Sequence, residues 1–162
     1  MGETQAVYAG SFDPLTYGHM NIIERSLKIF DKIIVAVAIN YQKQALFTPE
    51  ERVEMIREIY KEEPRVEVES FEGLLVEYMK CKGVKIIIRG LRATSDFEYE
   101  YHMASMNKSL YPEADTIFMV TAKDYFFISS RTIKEIASLG GNVDDFVPPL
   151  VALKLKKKFS KL

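Results

Sequence analysis

The stretch AVYAGSFDPLTYGHMNII, residues 6–23, decides how the rest of the chain is read. Ala6-Val7-Tyr8-Ala9 is a short apolar run with the look of a buried strand, while Ile22, Ile23, Leu27 and Phe30 repeat at helical spacing from about Gly18 onward. The connection between them, Gly10 to His19, holds two glycines, a proline, two hydroxyls and a histidine, where two or three polar residues would turn the chain. Gly10 lets a ligand approach the backbone, and Ser11 offers a hydroxyl and an N–H. Gly18 and His19 stand where a helix presents unpaired N–H groups and the positive end of its dipole. By residue type this is an anion site. Its glycine spacing matches neither the P-loop nor the dinucleotide fingerprint. A plainer reading makes Asp13-Pro14 a turn and His19 a helix-start residue bonded to backbone.

Working outward, apolar or alternating runs at residues 33–39, 66–69, 84–88 and 116–120 supply four more strands. Helical spacing and end signals lie between and after them. Thr48-Pro49-Glu50-Glu51 is a capping box that predicts a helix to about Tyr60. Residues 74–81 and 97–110 read as two helices, the second stopped by Pro112, with Met103 and Met106 as packing residues. Residues 132–139 form another, closed by Gly140-Gly141, and residues 151–159 a last one with Lys154, Lys156, Lys157 and Lys158 near its end. Strict alternation of strand and helix predicts a single α/β domain over residues 1–162: a doubly wound, Rossmann-like, five-stranded parallel sheet with helices on both faces. Ligands of such sheets bind beyond the carboxyl ends of the strands, so the segments leaving each strand carry the functional reading.

Composition narrows the partners. With 162 residues and 48% hydrophobic content the chain can bury one sizeable core. Its 22 basic and 23 acidic residues give a net charge of -1, no general attraction for nucleic acid or an anionic membrane, so any phosphate site must be local. The single cysteine, Cys81, cannot form an internal disulfide and fits a reducing compartment. There is no basic-then-apolar leader pattern and no run of roughly 18 apolar residues, so a soluble, cytoplasmic protein is expected.

Three further segments bear on chemistry. Arg89-Gly90-Leu91-Arg92 follows the buried run 86–88 and could clamp a phosphate with two guanidinium forks, or pair with Asp96, Glu98 or Glu100 on the next helix. Tyr125-Phe126-Phe127-Ile128-Ser129-Ser130-Arg131 ends at a helix start, where the serines can cap the helix and also meet a phosphate; its aromatic cluster can equally be core. Lys43 follows the second strand and on its own reads as a solvated lysine.

Taken together, Thr16-Tyr17-Gly18-His19 and Ile128-Ser129-Ser130 resemble the paired motifs of the nucleotidyltransferase superfamily. The stretches Gly10-Ser11-Phe12-Asp13-Pro14, Phe47-Thr48-Pro49-Glu50-Glu51-Arg52, Arg89-Gly90-Leu91-Arg92, Asp96-Phe97-Glu98-Tyr99-Glu100 and Met106-Asn107 resemble, within it, the phosphopantetheine adenylyltransferase family. The resemblance covers nearly the whole chain. It implies transfer of AMP from ATP to 4'-phosphopantetheine, yielding dephospho-coenzyme A and pyrophosphate, with Mg²⁺ arriving on the nucleotide. It further implies a homohexamer and feedback inhibition by coenzyme A. By the same resemblance His19, Lys43 and Ser11 are catalytic. Gly10, Ser11, Phe12, His19, Gly90, Leu91, Arg92, Glu100 and Tyr125, Phe126, Phe127, Ile128, Ser129, Ser130 and Arg131 bind ATP, and Ser11, Lys43, Leu75 and Arg89 bind the acceptor. Asn21, Leu75 and Arg131 depart from residues common in the family. Other nucleotidyltransferases, acting on CTP or on nicotinamide mononucleotide, and a nucleotide-binding module without turnover are the rival readings.

Overall fold

Side chains of a strand alternate between its two faces, and in this protein both faces of the central strands are covered, which is why their sequences are almost wholly apolar. The computed structural model describes residues 3–40 and 44–160. The strands are β1 (Gln5–Gly10), β2 (Lys32–Ile39), β3 (Val66–Glu72), β4 (Ile86–Leu91) and β5 (Asp115–Val120). All pairings are parallel and the spatial order is β3-β2-β1-β4-β5. Central β1 pairs Val7 with Ile34 on one side and with Ile87 on the other. Ala6 and Tyr8 of β1 join Ile33, Val35 and Ile88 in one apolar layer, whereas Val7 and Ala9 join Ile34, Ala36 and Ile87 in the opposite one.

The helices are α1 (Tyr17–Ser26), α2 (Pro49–Ile59), α3 (Leu75–Lys82), α4 (Thr94–Leu110), α5 (Ser130–Ser138) and α6 (Pro149–Phe159). Ile22 and Ile23 of α1 and Val53 and Ile56 of α2 pack on the first layer, and Met79 of α3 on the second. A third apolar cluster, with Phe47, Met55, Ile133, Val147, Val151 and Leu155, binds α5 and α6 to α2. Burial of each such side chain is worth about 1.5–3 kcal/mol.

The chain winds outward from β1 through β2 to β3, then returns to the other side of β1 for β4 and β5. Strand order therefore reverses between β1 and β4, and the crevice at that reversal lies beyond Gly10 and Leu91.

Most expected elements are present, with informative differences. The Thr48 box forms as anticipated: Thr48 Oγ1 accepts from the Glu51 N–H, and Glu51 accepts from the Thr48 N–H. Helix α6 begins at Pro149, two residues before the expected 151, because a proline lacking an N–H fits the first helical turn. Helices α4 and α5 begin at Thr94 and Ser130 instead of 97 and 132, since apolar periodicity does not register a polar first turn. Strand β3 continues to Glu72, and β4 runs through Arg89, Gly90 and Leu91, which were expected to lie in a loop. The pairing of Arg89 with Phe118 and Gly90 with Met119 of β5 extends that strand. Met103 and Met106, expected as packing residues, are largely exposed on α4.

Candidate active site

The segment after β1 is shaped by local contacts. Phe12 adopts a left-handed backbone (φ 46°), and Asp13-Pro14 is a cis bond. The Phe12 ring packs edge-on to Tyr8 at 5.2 Å and to His19 at 5.1 Å. A Cβ on Gly10 would meet that ring at 3.2 Å, so any larger residue there would push the Phe12 ring back by a few tenths of an ångström.

Asp13 ties this segment to two others. Its buried carboxylate accepts from the backbone N–H groups of Leu46 (3.0 Å) and Phe47 (2.9 Å), just before α2, and from Lys134 Nζ of α5 (2.7 Å). Arg52, also buried, donates from Nη1 to the Ser11 carbonyl (2.6 Å) and from Nε to the Thr48 carbonyl (3.3 Å). Ser130 Oγ donates to the Pro14 carbonyl at 2.7 Å, and Ser129 caps α5 by accepting from the Thr132 N–H at 3.0 Å. The starts of α1 and α5 are thereby brought to one place; in α1 the Tyr17 N–H is taken by the Phe146 carbonyl and the His19 N–H by Thr16, so the N–H groups left for a ligand are those of Gly18, Ser130 and Arg131.

His19 sits third in α1. Thr16 Oγ1 accepts from the His19 N–H, and the Thr16 N–H donates to His19 Nδ1 at 3.0 Å. A backbone N–H can only donate, so Nδ1 is the unprotonated nitrogen and Nε2 carries the ring proton. Burial, reinforced by the positive charges of Arg92 and Arg89, lowers the His19 pKa to about 4. At neutral pH the ring is an uncharged Nε2–H donor.

Arg89 Nε donates to Glu100 at 2.7 Å, its Nη2 to the other Glu100 oxygen, and its Nη1 to the Ala9 carbonyl. Glu100 is buried, unlike the rest of its helix face. Arg92 meets Asp96 at 3.4 Å and donates to the Ile128 carbonyl at 3.3 Å. Both arginines therefore do pair with α4, while Arg89 retains two of its five N–H donors for a ligand.

These groups line a cavity of about 570 Å³ at the strand-order reversal. Of the residues anticipated from sequence it gathers Gly10, Ser11, Phe12, His19, Arg89, Gly90, Arg92, Glu100, Ile128, Ser129, Ser130 and Arg131. Leu91, at the end of β4, is not on its wall. Tyr125 packs near Gly18, with its Cβ 3.7 Å from where a Gly18 Cβ would lie, and Phe126 and Phe127 are half exposed, so they are not core. Leu75, at the start of α3, is packed with the Phe71 and Tyr78 cluster and is not among the residues on this wall. Lys43 lies outside the described residues.

Tyr8, Asp13, Arg52, Thr121 and Lys134 also line the cavity and were not anticipated. Lys134 stands one turn beyond Ser130 on α5, a spacing visible in sequence; nothing local marks Arg52 as buried. Among the described lining residues, Arg52, Arg89, Arg92, Arg131 and Lys134 face only Asp13 and Glu100, a positive balance suited to phosphates. Asn21, one of the family departures, does not line this cavity; its side-chain oxygen accepts from Arg25 (3.3 Å) and from the Ala122 N–H (3.4 Å), holding α1 to the end of β5.

Comparison with known proteins agrees with this geometry. Residues 7–136 match the family model described as cytidylyltransferase-like. The chain is 52% identical to the phosphopantetheine adenylyltransferase of Anaeromyxobacter dehalogenans, across 96% of this chain and 95% of that one. It is 55% identical to that of Heliobacterium modesticaldum (96% and 93% covered) and 54% to that of Carboxydothermus hydrogenoformans (96% and 96%). In fold it resembles a solved Vibrio parahaemolyticus protein, provisionally described as a nicotinate-nucleotide adenylyltransferase, with a TM-score of 0.66, 16% identity and 95% and 99% of the two chains covered. With a doubly wound sheet, a roomy basic cavity at its switch point and relatives of this identity over nearly their whole length, the chain belongs to the phosphopantetheine adenylyltransferase family of nucleotidyltransferases.

Proposed function

We propose that the cavity performs in-line adenylyl transfer by positioning and charge stabilisation, without a general base. The family reaction is adenylyl transfer in coenzyme A biosynthesis, with ATP and phosphopantetheine as substrates. An oxygen of the acceptor phosphate, already ionised near neutral pH, forms a bond to the α-phosphorus of ATP. The bond from that phosphorus to the α–β bridging oxygen breaks, and pyrophosphate leaves with the electron pair.

The observation that carries this reading is the state of His19. A ring with a depressed pKa and its Nδ1 already satisfied by Thr16 is a poor base and a fixed donor. Its Nε2–H supports charge growing on the α-phosphate oxygens, together with the N–H groups at the starts of α1 and α5. Arg89 and Lys43 hold the acceptor phosphate in this reading, and Arg92 and Ser129 hold the nucleotide.

Mg²⁺ fits this site as an ion carried by the nucleotide. Both described carboxylates of the cavity are committed, Asp13 to Lys134 and Glu100 to Arg89, so neither is a spare ligand. When bound it would neutralise triphosphate charge. A homohexamer is also proposed; its support is that Phe97, Tyr99, Tyr101, Met103 and Met106, spread around α4, are all exposed on the single chain. Feedback by coenzyme A follows from a product-like molecule entering the same cavity. No described helix is long and apolar enough to cross a membrane, and a cytoplasmic location is supported by the exposed free thiol of Cys81.

The test is pyrophosphate release from ATP or CTP with phosphopantetheine or nicotinamide mononucleotide as acceptor. Release with ATP and phosphopantetheine alone is expected. Faster release with CTP or the mononucleotide would move the chain to another transferase class, and nucleotide binding without release would make it a binding module.

A further inference from the structure

On the cavity wall, the Tyr8 hydroxyl is bonded to none of the described residues. Tyr8 is 6% exposed, with its ring in the apolar layer beneath the site beside Phe12 and within 6.4 Å (ring centroids) of His19. Its hydroxyl makes no hydrogen bond to any described residue, yet the residue lines the cavity. Tyr60 also has an unpaired hydroxyl, but that one is sealed in the core away from the cavity. A Cβ on Gly90 would lie 3.7 Å from the Tyr8 hydroxyl, which puts that oxygen beside the β4 backbone at Gly90.

The Tyr8 oxygen is not sealed in the core but reaches the cavity space, so the partners open to it are molecules that enter the cavity, and packing in the apolar layer would be served as well by phenylalanine. The group is therefore explained by a partner that arrives with the substrates. It stays protonated, because burial raises its pKa far above the ordinary phenol value despite the nearby charges of Arg89 and Arg92. We propose that the Tyr8 hydroxyl is a substrate-contacting donor, giving a hydrogen bond to a phosphate oxygen of the bound reactants on the wall it shares with Arg89, Gly90 and His19. The proposal rests on the reading that this cavity holds the reacting phosphates.

The decisive variant is Tyr8→Phe, which removes one oxygen and keeps the ring, with Tyr60→Phe as the control for loss of an unpaired hydroxyl outside the cavity. Steady-state kinetics with each substrate varied in turn would be paired with calorimetric affinities for ATP, pyrophosphate and phosphopantetheine, and with thermal unfolding. A fall in kcat/KM of roughly 10- to 100-fold is expected for Tyr8→Phe, with Tm unchanged or higher, and no kinetic change for Tyr60→Phe. A raised KM and weaker binding for ATP alone would place the contact on the nucleotide, and the same for phosphopantetheine alone would place it on the acceptor. A lower kcat with both KM values unchanged would place it on oxygens that gain charge during transfer. Kinetics and all three affinities within twofold of wild type would overturn the proposal, as would an equal loss in Tyr60→Phe. Failure of the functional reading looks different: wild type itself would release no pyrophosphate, and unchanged affinities in Tyr8→Phe would then still count against Tyr8.

Discussion

If His19 acts as a neutral donor, its ring must fail to titrate where free imidazole does. The displacement of its pKa from 6.5 to about 4 opposes protonation by about 3 kcal/mol. At pH 6.5, where a solvated imidazole is half protonated, only about 0.3% of His19 rings would carry a second proton. The physical origin is burial first and the charges of Arg92 and Arg89 second, with Nδ1 already occupied by the Thr16 N–H. Because the folded pKa lies below the unfolded one, the unfolded chain takes up the proton first as pH falls. Stability is then complete above about pH 6.5 and declines by up to about 3 kcal/mol as pH falls to about 4. The chain has two histidines, and the other, His102, is exposed on α4. A tag-free His102→Gln protein therefore has one imidazole, whose ring nitrogens can be followed by ¹⁵N NMR from pH 8 to 4 without ligands. The expected spectrum is that of the Nε2–H tautomer down to about pH 5. A titration midpoint at 6 or above, or a proton on Nδ1, would refute the donor assignment.

His19→Ala should lower kcat by roughly 10² or more, as removal of one charge-stabilising donor does, and cost about 1–3 kcal/mol of stability because the Thr16 N–H loses its acceptor; pyrophosphate release measures the turnover, and wild-type turnover would contradict the role. Asp13→Ala should destabilise the fold by about 3–5 kcal/mol in urea unfolding, because it strands the Lys134 ammonium and the Leu46 and Phe47 N–H groups; a loss under about 1 kcal/mol would show that the knot is not structural. Lys43→Ala should raise KM for phosphopantetheine and leave KM for ATP unchanged, and an unaltered acceptor KM would remove Lys43 from the acceptor site.

Elements whose signals are local could be read directly. The Thr48 box needs only four consecutive residues, and the five strands declare themselves because burial on two faces demands apolar side chains throughout. Ends were less legible. Arg89 and Gly90 belong to β4 because hydrogen bonding to β5 holds them, and no property of an arginine beside a glycine announces that. The same holds for Glu100, a residue of ordinary helical context that is buried because Arg89 reaches it from another element.

The candidate site divides in a similar way. Gly10, His19, Arg92 and Ser129 were found because each lies in a short segment whose composition exceeds what a turn requires. Arg52, Lys134 and Tyr8 were not, since their surroundings are made by residues far away in sequence: Ser11 for Arg52, Asp13 for Lys134 and Gly90 for Tyr8. What the amino-acid sequence by itself determined was the alternation of strand and helix, hence the doubly wound sheet, and the phosphate-seeking character of the segments after its strands. Tertiary structure alone decided that β1 and β4 are neighbours, that Asp13 meets Lys134, and that the Tyr8 phenol faces the cavity, because strand pairing, burial and hydrogen-bond partners join residues tens of positions apart.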